Sequence, residues 1–89
     1  MIYNFYSVYD VNMGYNPPVV QENDAVAMRN FENACCDKSS VWYTHCADFS
    51  LMCIGSFDSS SGEIIAADPK KVCAASDFVA RMKGVDNID

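Results

Sequence analysis

The sequence predicts an α+β fold: a small, mostly antiparallel sheet of three to four strands covered by one main helix, with a short C-terminal helix or turn. Three observations carry this. Ile2–Asp10 and Asp48–Phe57 are rich in β-branched and aromatic residues. Ala25–Cys36 alone has a sustained helical apolar spacing. Asp58-Ser59-Ser60-Ser61-Gly62 has the composition of a tight loop between paired strands. With 89 residues the chain has room for one domain, residues 1–89. A domain this small buries only about 60–65% of its unfolded surface, which leaves a thin core.

In the first strand, Tyr3, Phe5 and Tyr9 alternate with Ile2, Tyr6 and Val8, so both faces are partly apolar and the strand is expected to be central or helix-covered. Met13-Gly14-Tyr15-Asn16-Pro17-Pro18 interrupts regular structure, because neither proline can donate to a ladder. Val19 and Val20 are expected to pair briefly after it. Asn23 or Asp24 caps the helix, in which Ala27, Phe31, Ala34 and Cys35 form one stripe; Asp37–Ser40 ends it. Val41–Ala47 is ambiguous, with Trp42 and Tyr43 as packing residues.

In the second long strand Phe49, Leu51, Cys53 and Phe57 are expected on one face, with Gly55 between the last two, and Met52 and Ile54 on the other. Gly62 should take positive φ in the loop, and Glu63–Ala66 returns as the partner strand. Asp68-Pro69 should break that strand. Lys70–Ala75 reads as one more short strand, and Ser76 or Asp77 as the cap of a brief helix through Met82, closed by Gly84. A sheet this small leaves an edge, which a second copy would cover, so a homodimer and a monomer both remain open.

Twelve acidic residues against six basic ones give a formal charge of −6. DNA affinity rests on cations that displace counterions from phosphates, so this balance argues against a general duplex binder. Lys70, Lys71, Arg81 and Lys83 cluster late in the chain and are the candidates for nucleic-acid contact; the plainer reading is a solvated C-terminal surface. The start Met-Ile-Tyr-Asn-Phe has no basic region or apolar run of a signal peptide, and no stretch approaches the roughly 20 apolar residues of a span. The expectation is an intracellular protein with no membrane association and with reduced thiols.

Five cysteines and one histidine raise the question of metal. Cys35-Cys36 and His45-Cys46 are adjacent pairs, whereas structural zinc sites use ligands two to four residues apart. No cofactor, no metal and no intrachain disulfide are therefore expected. A nucleophilic site from Cys36 or Cys46 with His45 and Asp48 lacks any oxyanion motif, and the carboxylate pairs Asp10 with Asp48 and Asp58 with Glu63 read as loop caps. The chain is not expected to be an enzyme. Tyr3, Tyr6, Tyr9, Tyr15, Trp42 and Tyr43 are the residues able to stack single-stranded bases, but with no cation beside them core packing is the better reading. A protein-binding surface is expected on the loop from Tyr9 and Asp10 through Tyr15, Pro17 and Pro18, beside the helix face bearing Arg29.

Several segments carry a family likeness. Ser7-Val8-Tyr9-Asp10, the Pro17-Pro18 loop leading to Ala25-Val26-Ala27-Met28-Arg29-Asn30-Phe31, and His45 through Asp58 followed by Ser61-Gly62 occur in order, completed by Pro69 and the Val72–Val79 tail. In these the chain resembles the small non-structural protein of gokushoviruses, single-stranded DNA phages of the Microviridae, although it carries more cysteine than that family would suggest. The resemblance implies the C-type role of related microviruses: action in viral DNA replication and packaging, at the switch to single-strand synthesis, in the host bacterial cytoplasm. The implied partners are the phage replication initiator, procapsid proteins or host replication factors. A protein-binding adaptor suits the acidic charge best. A direct single-stranded DNA binder and an inhibitor of a host factor are the alternatives.

Overall fold

Aromatic and β-branched residues put the first strand in the middle of the sheet. In the computed structural model, which describes the backbone of residues 1–86 and the side chains of residues 1–82, β1 (Ile2–Asp10) pairs antiparallel with β4 (Phe49–Asp58) along its whole length. Its other edge is covered by two short strands, β2 (Gly14–Tyr15) and β3 (Val19–Gln21). β5 (Ile64–Ala74) pairs antiparallel with β4 and forms the far edge of a five-stranded sheet. The brief pairing expected at Val19 and Val20 is therefore present. The loop before it is less irregular than expected: Gly14, at φ 94°, lets the chain turn back so that Tyr15 pairs with Tyr9.

α1 (Asp24–Cys35) begins where Asn23 Oδ1 accepts from the Val26 backbone N–H at 2.9 Å. It buries Ala27, Phe31 and Cys35 and leaves Arg29 exposed. The ambiguous segment is a single turn, α2 (Val41–Thr44), capped by the Ser40 hydroxyl and followed by a 3-10 turn over Cys46–Asp48. The C-terminal helix is longer than the sequence suggests: α3 (Ala75–Asp86) runs through Gly84, and Asp77 Oδ2 accepts from Ala74 N at its start. Two twelve-residue helices, rather than one, share the cover of the sheet.

All three helices pack on one side. The core joins Tyr6, Val8, Phe49, Leu51 and Cys73 of the sheet to Ala27, Phe31, Cys35, Ala75 and Phe78 of the helices, with Trp42 against it. The Phe31 ring meets Trp42 at 5.4 Å and Phe78 at 6.2 Å. Burying such apolar surface supplies about 25 cal/mol per Å², and aromatic pairs add to it.

Two corrections concern β4 and β5. Phe5 pairs with Gly55 and Tyr6 with Cys53, so Ile54 is an extra residue in β4. A one-residue bulge reverses the facing of everything beyond it. Phe57 therefore lies opposite to Phe49, Leu51 and Cys53, on the face of Tyr3 and Phe5, where its ring contacts Phe5 at 6.3 Å. Asp68-Pro69 does not break the strand. β5 carries residues 67–69 across the bulge, between the pairs Cys53–Lys70 and Gly55–Ala66, where the proline owes the ladder no hydrogen bond.

The open sheet face as candidate binding surface

With every helix on the Tyr6 side, the other face of the sheet is left without a covering layer among the described residues. Its rows follow from the pairing. Tyr3, Phe57 and Ile64 stand in one row, and Val20, Phe5, Gly55 and Ala66 in the next. Ser7, Met52 and Lys71 form a third, and Tyr15, Tyr9, Ser50 and Ala74 a fourth. No carboxylate occurs in these rows, and Lys71 is their one charged side chain. Tyr3, Phe5, Tyr9 and Phe57 are half-buried, and Tyr15 is 48% exposed. A hollow of about 310 Å³ lies among Phe5, Pro18, Ile54, Ile64 and Ala66.

Most acidic residues lie elsewhere, although Glu63, just before Ile64, and Asp68, exposed in the unpaired stretch 67–69 of β5, flank these rows. Asp24 and Glu32 stand on α1, Asp37 follows it, Asp48 ends the 3-10 turn and Asp77 opens α3. Others close turns, as expected. Asp10 accepts from Asn12 N, and Asn12 Nδ2 reaches Asp48 at 3.4 Å. Asp58 accepts from Ser60 N in the hairpin loop, and that N–H holds its carboxyl below the usual range; the Ser39 hydroxyl and N–H do the same for Asp37.

The expected interaction surface is divided. Tyr9 and Tyr15 pack at a tilt on the open face, with ring centroids 4.9 Å apart and planes at 52°. Pro17 and Pro18 are exposed beside it, held where Ser7 Oγ donates to the Asn16 carbonyl at 2.6 Å. Asp10, paired with Phe49, points to the helix side instead. Arg29 is exposed on α1, two residues from buried Ala27 and thus on the helix surface turned away from the sheet. The candidate cations are spread as well. Lys70, next to Lys71 and in the Cys53 row, faces the helix side. Arg81 lies over the Phe78 ring at 5.4 Å and 3.9 Å from Glu32. Lys83 is in α3, with its side chain outside the described residues.

Of the six aromatics singled out in the sequence, Tyr6 and Trp42 belong to the core and Tyr43 is half-buried in α2, while Tyr3, Tyr9 and Tyr15 share the open face. Sequence reasoning missed Phe5 and Phe57 as surface residues. The signal available was Gly55, which has no room for a side chain: a Cβ there would stand 2.5 Å from the Ile65 carbonyl oxygen, as expected where backbones approach at a bulge.

Four of the five thiols, Cys35, Cys46, Cys53 and Cys73, are packed in or against the core. Burial pushes Cys35 up to about 12 and Cys73 up to about 11, which makes both poor nucleophiles. Among the described residues no three His, Cys, Asp or Glu side chains are placed to hold a metal ion. No helix among them is long and apolar enough to cross a membrane. A second hollow of about 210 Å³ lies between α1 and the sheet, lined by Tyr6, Phe31, Trp42, aliphatic side chains and the amides Gln21 and Asn30.

In comparisons with known proteins, the family model described as Phage ORF5 protein matches residues 3–78. No curated protein matches, and no solved structure does.

Proposed function

Since this chain belongs to the Phage ORF5 protein family, we propose that it is a non-structural, non-catalytic phage protein acting in viral DNA replication and packaging as a protein-binding adaptor. The observation that carries this is the two-sidedness of the molecule. Acidic groups border the helix layer, and the opposite sheet face has none in its rows. Proteins that handle DNA present basic surfaces, and an acidic helix layer complements them in charge, which favours fast and selective association. The sequence resemblance narrows the setting to gokushoviruses in the bacterial cytoplasm, with the replication initiator or procapsid proteins as partners.

The test is capture of those named phage proteins from infected cells by the tagged protein. Reversing to lysine both Glu22, the exposed residue just before the Asn23 cap, and Glu32, within α1, should weaken capture several-fold and reduce its salt sensitivity. The Glu32–Arg81 pair is long and half-exposed, so its loss should cost the fold under about 1 kcal/mol. Undiminished capture by the folded double variant would falsify the adaptor reading.

A further inference from the structure

We infer that the open face of the sheet is a stacking platform for the bases of single-stranded DNA, with Tyr3, Phe5 and Phe57 as its centre and Lys71 as its phosphate contact. The inference goes beyond the adaptor reading and does not depend on which protein the helix side engages.

Three observations carry it. First, the rings stand on the two middle strands: Tyr3 pairs directly with Phe57, and Phe5 follows two residues along β1 on the same face. Residues two apart on a strand are about 6.6 Å apart, roughly twice the 3.4 Å rise of a stacked strand. A nucleic-acid strand laid along β1 must therefore part its bases from one another, and each parted base meets a ring. The Tyr9–Tyr15 pair is a separate aromatic group farther along β1, divided from the first by Ser7, which is 2% exposed and bonded to the Asn16 carbonyl. Second, charge permits the approach. The chain carries −6, yet no carboxylate stands in the paired rows of this face, Glu63 and Asp68 flanking them, and Lys71 lies in the Ser7–Met52 row between the two aromatic groups. Third, an antiparallel sheet with one covered face ordinarily presents polar side chains on the other, whereas this one presents rings. Bases are accessible on their π-faces only when the strand is single, so a duplex has nothing to offer the platform.

The geometry also fixes a quantitative signature. With one cation on the face, binding releases about one counterion, so affinity should fall with salt at a logarithmic slope near −0.7 rather than steeply. Stacking supplies the rest, at about a five- to hundred-fold change in affinity for each ring that carries a base.

The experiment is fluorescence anisotropy of a labelled single-stranded thymidine oligonucleotide and of a duplex of the same length. The full chain would be compared with Tyr3→Thr, Phe57→Thr, Lys71→Gln and the ring-preserving pair Tyr3→Phe with Phe57→Tyr. Expected are binding of the single strand alone, about a tenfold loss for each threonine variant, retention in the ring-preserving pair, and a nearly flat salt dependence for Lys71→Gln. Equal binding of duplex, no binding of either DNA, or unchanged affinity in folded threonine variants would overturn the inference. So would gel filtration showing a dimer that the same variants dissociate, because the face would then be an interface between copies. If the threonine variants lose captured phage proteins without any oligonucleotide binding by wild type, the face is a protein interface. Should a threonine variant fail to fold, Lys71→Gln and the ring-preserving pair still decide the matter.

Discussion

Tyr6 ties the sheet to α1 through a buried hydroxyl. It is 1% exposed, donates to the Asp24 carboxylate and accepts from Asn4 Nδ2 at 3.1 Å. Burial first, and then the bond to Asp24, push the phenol up to about 12 from an ordinary value of 10.0. The folded state thus favours the protonated ring. This contribution is complete below pH 10 and is lost as pH rises through about 12; two pH units correspond to ~2–3 kcal/mol. Tyr6→Phe should cost about 1 kcal/mol at neutral pH, for the lost hydrogen bond, and should flatten the alkaline fall in stability. Denaturant titrations at pH 7 and across pH 10–12 measure both. Cys35 and Cys73 titrate upward for the same reason, so part of the fall should persist in the variant. An unaltered alkaline slope in Tyr6→Phe would show that the phenol titrates alike in the folded and unfolded chains and contributes nothing to the fall.

Among the elements, α1 was readable because its signals are local: a cap at Asn23, a stripe at Ala27, Phe31 and Cys35, and a stop after it. The facing of the strands was not, because it depends on register, and register here turns on one extra residue at Ile54. The same bulge explains how Pro69 sits inside β5, a position that local rules assign to a strand end. The C-terminal helix outlasts Gly84 because Ala75, Phe78 and Val79 are packed into the core, and tertiary burial outweighs a glycine penalty of about 1 kcal/mol. The β4–β5 loop was legible to within one residue at each end, Asp58 closing β4 and Ile64 opening β5. Gly62 has φ 78°, its N–H donates to the Asp58 carbonyl at 2.7 Å, and the space around it is open. Only backbone strain opposes a side chain there. Gly62→Val should therefore destabilise by about 1–2 kcal/mol, while Gly62→Asn, which tolerates the left-handed region, should cost less. Melting temperatures of the two variants separate strain from loss of space; equal melting of Val and wild type would displace the turn.

At the scale of the whole molecule, the helix layer is shorter than the sheet. The molecule measures 53 × 26 × 20 Å, and the core lies under Tyr6, Val8, Phe49, Leu51 and Cys73. Toward the β4–β5 loop both faces are bare: Ile2 is 58% exposed, Ile64 67% and Ile65 46%. That end includes the Tyr3–Phe57–Ile64 row, the centre of the proposed platform. This is also why the surface was only half legible in the sequence. The aromatic content of β1 was plain, but which rings face outward, and that Phe57 joins them, is decided by the bulge and by where the helices stop. A sheet end with backbone pairing and little apolar burial opens at lower free energy than the core. Amides of Ser56, Phe57, Ile65 and Ala66 should thus exchange at least about tenfold faster than those of Tyr6, Val8 and Leu51, a gap of about 1.4 kcal/mol or more. Adding single-stranded oligonucleotide should slow exchange at this end and leave α1 unchanged, whereas a protein bound to the acidic helix side should protect α1 and not the loop end. Native-state hydrogen exchange resolves the two halves in one measurement. Uniform protection along β4 in the free protein would mean that something already covers the open face, and a second copy, seen as concentration-dependent protection, would then be its occupant.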